Sequence, residues 1–350
     1  MTERPTAAPD GSRVPGLPGP AVTVTATWPA SEPLEAALAV LGDLTDVPDG
    51  VTGVPGVPAR DERDGLVRTC AALDQLPVEL GPHGWKLADR PGRDAERIAA
   101  RWRDDLEAFA IAASGYTGPV LLAATGPWTL ASELYLARGD RVLTDHGAVR
   151  EIAQALVAGM CARVADVRRL VPGAEVHVRL DESLIGQVNA GVIPTFSGYS
   201  RIRAVPGPDL VARLEPVVRA LQAVGVRVAV HVGDAWLGIA PVALAGADGV
   251  GLRLGPWNER AWEHVARAVE RGMDLWPVLA PPTSSQCSGP DVRALADQLL
   301  VPWRRIGLEV RALDRTVLSL TGHGAHVQEA RGRLRTLAQA GLLVAERAAD

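Results

Sequence analysis

His231 ends the run VRVAVHVGD (residues 226–234), an alternating apolar stretch that stops at Gly233 and Asp234. A single imidazole there has three roles open to it: metal ligand, general base or satisfied core histidine. Asp181 and Glu182 end a second such run, AEVHVRLD (residues 174–181). Adjacent residues on extended backbone point to opposite faces, so one carboxylate of the two faces the end of a sheet. That carboxylate can bind an amine or move a proton. It can equally interact with the dipole of a following helix. Other candidates close similar runs: Thr27 and Trp28, Thr125, Gly126 and Trp128 in TGPW, Trp236, and Arg253. Cys287, His323 and His326 lie in late loops and, with His231, are donor types that a tetrahedral zinc accepts, at spacings that form no ligand signature. Trp28, Trp128, Trp236 and Trp257 offer flat faces for a ligand, or plugs beneath loops. His83, His146, His177 and His264 read as structural, and Cys70 and Cys161 as small core residues.

These residues need a scaffold that brings strand ends together. Strands are expected at residues 22–28, 76–80, 119–126, 174–181, 226–232, 248–254, 274–280 and 316–320. Helices are expected at 32–44, 61–73, 94–113, from Pro127, 145–170, 209–223, 235–247, 258–271 with Asn258 as N-cap, 291–308 and 327–345. Strands alternating with helices give parallel units with right-handed crossovers. Eight of them fit an α/β fold of the (β/α)8 TIM-barrel type, whose chemistry sits at the C-terminal strand ends. No GxGxxG or GxxxxGK[ST] follows a strand, which argues against a nucleotide-binding open sheet. Residues 1–20 are too rich in Pro, Gly and polar groups to offset ordering entropy and read as a disordered tail; residues 21–350 read as one domain.

The net charge of −5 argues against a nucleic-acid partner. Three widely spaced cysteines suit a reducing cytoplasm. The absence of a long uninterrupted apolar run, and of an apolar core near the N-terminus, argues against a membrane span or a signal peptide.

The chain resembles the cobalamin-independent methionine synthase family, in particular single-barrel actinobacterial proteins similar to its C-terminal catalytic half. The matching pieces are Ala26-Thr27-Trp28-Pro29, like the family's G-S-[FW]-P; GPHGWKL (81–87); YTGPVLLAATGPWTL (116–130); Leu180-Asp181-Glu182, like L-D-E-P; and His231, like the His of H-x-C. The match runs over residues 20–345. The resemblance implies a barrel S-methyltransferase that moves a methyl group from a folate or corrinoid donor to a thiol such as homocysteine. In such a protein a zinc ion held by one His, two Cys and a Glu keeps the thiol as thiolate. Position by position, His231 matches the histidine ligand, while Gly233, Arg253 and Gly322 stand at the other three. Ser183 and Thr27 also depart from the family pattern. Full-length members carry a second barrel that helps hold the folate, so a single barrel points to a corrinoid or another donor. A zinc site rebuilt from His231, His323, His326 and Cys287 is one alternative. A non-catalytic ligand- or partner-binding descendant is another. A third is a zinc-free enzyme like the uroporphyrinogen decarboxylases of the same superfamily, with Arg253 on a substrate carboxylate. The expectation for the mouth is an anionic or flat organic ligand, held by Arg253 and the nearby tryptophans, and no zinc at the family positions.

Overall fold

A computed structural model describes residues 16–24, 28–30, 32–59, 64–281, 291–322 and 324–350. Among the described residues there are ten strands: β1 (Ala21–Thr23), β2 (Thr52–Val54), β3 (Val78–Gly81), β4 (Gly84–Leu87), β5 (Thr117–Thr125), β6 (Gly173–Asp181), β7 (Arg227–His231), β8 (Gly249–Arg253), β9 (Asp274–Leu279) and β10 (Val317–Leu320). Eight of them form one parallel sheet in the order β2-β1-β10-β9-β8-β7-β6-β5. A parallel bridge from Gly56 to Leu121 joins its two edges. The result is a nearly closed (β/α)8 barrel.

Side chains sort to two sides of the wall. Ala21, Val54, Leu121, Ala229, Trp276 and Val317 form a small cluster. Each comes from a different barrel strand, so this cluster fills the interior. Their neighbours in sequence, such as Val22, Val120, Leu122, Val228 and Val230, join the large core beneath the helices. This two-sided burial explains why the strands read as continuous apolar runs. The long helix His146–Leu170 buries Val149, Ile152, Leu156, Met160, Val164 and Val167 against this core. Asp145 caps it by accepting from the Gly147 and Ala148 amides. Asn258 caps the helix Glu259–Glu270 through the Ala261 amide, as its sequence position implies.

Three expectations are corrected. The second barrel strand is β2, inside a Pro- and Gly-rich stretch that reads as a loop. The stretch around residues 76–80 instead forms an antiparallel hairpin, β3–β4, outside the barrel. Three residues bounded by turn formers are too short to show an alternation, and only pairing with β1 makes them a strand. Residues 16–20, assigned to the disordered tail, are packed: Thr52 bonds to the Pro18 and Pro20 carbonyls, and Leu17 contacts the interior cluster. Residues 1–15 lie outside the described residues.

Gly53 shows how tightly β2 is held. A Cβ there would sit 1.7 Å from the Leu44 carbonyl oxygen. Backbone on both sides leaves little room to relax. Gly53→Ala is expected to destabilise the barrel by about 3 kcal/mol or more, at the upper end of overpacking costs. Chemical denaturation checks this; an unchanged midpoint would show that the packing of β2 on Leu44 is looser than described.

Candidate active site at the barrel mouth

The strand register assembles the site. Thr125 pairs with Asp181, Asp181 with His231, His231 with Gly251, and Gly251 with Trp276. In-register residues of a parallel sheet share a face. Ala229 lies inside the barrel, so His231, two residues on, points to the same side, as do Asp181 and Thr125. Of the residues expected around one mouth, Asp181 or Glu182, His231 and Thr125–Trp128, the register brings Asp181, His231 and Thr125 to one face.

Space for the imidazole comes from β8. A Cβ on Gly251 would sit 2.7 Å from His231 Cδ2, and one on Gly249 would sit 2.8 Å from Trp276 Nε1. The His231 Nδ1 accepts the Gly233 amide at 3.2 Å. In the neutral ring this assigns the proton to Nε2. That Nε2 is buried and has no hydrogen-bond partner among the described residues. Burial pushes the His231 pKa down to about 4, against the pull of Asp181 and with help from the Arg179 and Arg253 charges. At neutral pH it is a hydrogen-bond donor without charge.

Asp181 is not free. Arg179, two residues earlier on the same face, donates Nε to Oδ1 at 3.0 Å and Nη2 to Oδ2 at 3.2 Å. Sequence reasoning missed Arg179. The available signal was a charged residue inside an otherwise buried strand, two positions from the candidate carboxylate.

Glu182 faces away from the mouth. It is fully buried and accepts the Trp128 amide (2.9 Å), the Thr129 amide (2.8 Å) and the Thr129 hydroxyl (2.9 Å). It thus satisfies the first amides of the helix Pro127–Glu133. Burial raises its pKa to about 7, although these three donors pull the other way. Gly126 makes room, since a Cβ there would sit 2.5 Å from the Glu182 carboxyl carbon. The TGPW stretch is therefore a socket for Glu182. Trp128 is buried with its indole N–H on the Leu210 carbonyl.

The remaining candidates scatter. Trp28 is buried, with an indole N–H that has no partner among the described residues. Trp236 packs on His264, and Trp257 stacks on Trp262 beneath Arg305. Arg253 is exposed at the rim and pairs with Asp234 at 3.2 Å. His326 is exposed before the last helix. Thr27, Cys287 and His323 lie outside the described residues.

The donors present do not fit the zinc site that the resemblance implies. Gly233 adopts φ +64°, and a Cβ there would approach Ser183 backbone at 3.1 Å. Even a cysteine restored at that position would be strained. Arg253 places a cation at the Glu position, and Gly322 has no donor. Among the described residues, no three His, Cys, Asp or Glu side chains cluster closely enough to hold a metal. Among them, too, no helix is long and apolar enough to cross a membrane.

No family model matches the chain, and no curated protein matches it in sequence. Solved structures do. A B12-independent methionine synthase from a Shewanella species, in complex with selenomethionine, is similar at TM-score 0.56 and 12% identity, over 93% of this chain and 97% of that one. A catalytic module of a pneumococcal exo-β-D-N-acetylglucosaminidase follows at 0.49 and 7%, over 92% and 84%. A 3-dehydroquinate dehydratase from Geobacillus kaustophilus is similar at 0.38 and 12%, over 91% and 90%. The first likeness shows a methionine synthase-like fold.

The interior also buries His177, whose Nε2 has no partner among the described residues. Burial, with the Arg227 charge, lowers its pKa from 6.5 to about 4, against a smaller opposing pull from Asp248. An unfolded chain binds a proton at this residue below pH 6.5, and the folded chain only below about pH 4. The histidine therefore destabilises the fold progressively as pH falls through that window. Glu182 works in the opposite sense, costing stability as pH rises from 4.5 toward 7. His177→Leu is expected to reduce the stability lost between pH 6.5 and 4 by about 3 kcal/mol, the linkage value of that shift. Urea denaturation at both pH values measures it; an unaltered loss would mean that His177 is charged or solvated in the fold.

Proposed function

We propose that the barrel mouth binds a small organic molecule through a carboxylate or carbonyl oxygen placed on His231, and that this methionine synthase-like barrel does not run a zinc-thiolate methyl transfer. The observation that carries the proposal is the buried Nε2–H of His231, beside Asp181 and without a partner among the described residues. An unsatisfied buried donor costs about 1–3 kcal/mol, which a ligand oxygen would relieve. Arg253 adds a cation at the rim. Its pairing with Asp234 is solvent-exposed and weak, so it can be exchanged for a ligand anion. Both Asp181 oxygens are held by Arg179, and His231 is the residue placed to hold or polarise the ligand.

One observation favours a second reading, S-methyl transfer from a folate or corrinoid donor: the likeness to the Shewanella methionine synthase extends over nearly all of both chains. That reading needs metal donors from Cys287 and His323, beyond the described residues.

Succinate, pyruvate and L-methionine are suitable probes. At least one carboxylate is expected to raise the melting temperature of the protein, and His231→Ala is expected to remove that rise. No carboxylate effect, or one that survives His231→Ala, would refute the assignment. Turnover of homocysteine to methionine with 5-methyltetrahydrofolate or methylcobalamin would establish the methyl-transfer reading in its place.

A further inference from the structure

Arg179 is the innermost charged group at the mouth, with a side chain only 9% exposed, while its partner Asp181 is 33% exposed. Its in-register neighbour on β7 is Ala229, whose methyl group leaves room for a guanidinium inside the barrel. The planar fork of arginine matches a carboxylate in two parallel bonds and stays charged at any accessible pH. Both Asp181 oxygens are engaged by it. The register partner of Asp181 is His231, the one side chain at the four family metal positions that offers a donor atom. A divalent cation approaching His231 would meet this fixed positive charge and would have to take Asp181 from it.

We propose that Arg179 is the resident cation of the barrel mouth: a positioning residue that locks the Asp181 carboxylate and keeps a second cation away from His231. Where the resemblance implies a metal, this chain supplies a protein charge. The mouth is then closed to metal ions, and to ammonium groups seeking a bare carboxylate. It stays open to ligands that bring an acceptor to the His231 N–H. Removing one partner of a buried pair leaves the other uncompensated, and an uncompensated carboxylate attracts cations.

The test is metal uptake by the full-length protein, which does not depend on the ligand class proposed above. Cobalt(II), followed by visible absorption, and zinc, followed by elemental analysis after dialysis, are the probes. The wild-type protein is expected to show no saturable uptake. Arg179→Met should bind cobalt at least about tenfold more tightly, a change of about 1.4 kcal/mol. Arg179→Lys should exclude metal as the wild type does. The neutral pair Arg179→Met/Asp181→Asn should lose the gained affinity, which separates freed charge from loosened structure. Arg179→Gln keeps a donor to the carboxylate without the charge, and serves if the methionine variant does not fold; the same gain is expected. One zinc per wild-type chain, lost in His231→Ala, would overturn the proposal. So would folded Arg179→Met or Arg179→Gln protein that binds cobalt no better than the wild type.

Discussion

The barrel interior has to be filled, and the way strand β8 leaves it unfilled decides where the chemistry sits. Gly249 and Gly251 contribute no side chains to a wall whose other strands do. The indole of Trp276 and the imidazole of His231 take the space, each closer than a Cβ on the facing glycine would permit. Interiors pack at crystal-like density, so a ring that fits against a glycine is held by its surroundings. The Gly233 amide then fixes the ring's tautomer. The position of His231 therefore follows from the missing methyl group of Gly251, and its tautomer from one backbone N–H.

Charge within the barrel obeys the same economy. Desolvating an ion costs several kcal/mol, and the cost is offset only by a well-placed partner. Arg179 and Asp181 solve this within one strand, two residues apart. Arg227 and Asp274 solve it between β7 and β9, at 2.6 Å, across the strand that carries Gly249. Glu182, outside the wall, finds amide donors at a helix start instead. These three carboxylates thus have three partners of different origin. Of these three carboxylates, Asp181 is the one in register with His231.

Much of the frame was legible along the chain. The helix over residues 146–170 carries its apolar stripe and its Asp145 cap in plain sequence, and β5 to β10 show as apolar runs with turn residues between them. Strand β2 did not show, because three residues have no period. Leu76 to Leu80 did look like a strand, and β3 is one, yet it pairs with its own hairpin partner rather than with the barrel. Local pattern reports that a segment is extended; it does not report which neighbour supplies the hydrogen bonds.

The site divides along the same line. The sequence by itself determined that Asp181 and His231 close strands, that a parallel barrel would gather them at one end, and that glycine and arginine stand where a metal site would need donors. The first two conclusions need only residue identity and strand direction, both of which are local; the third rests on the position-by-position resemblance. The tertiary structure alone decided that Glu182 belongs to a helix start, that Trp128 is a core residue, and that Asp181 is held by Arg179. Two adjacent carboxylates are equivalent until the strand is placed in a wall with an inside and an outside. Which of them meets an arginine, and which meets a row of amides, is set by packing across residues that lie far apart in the chain.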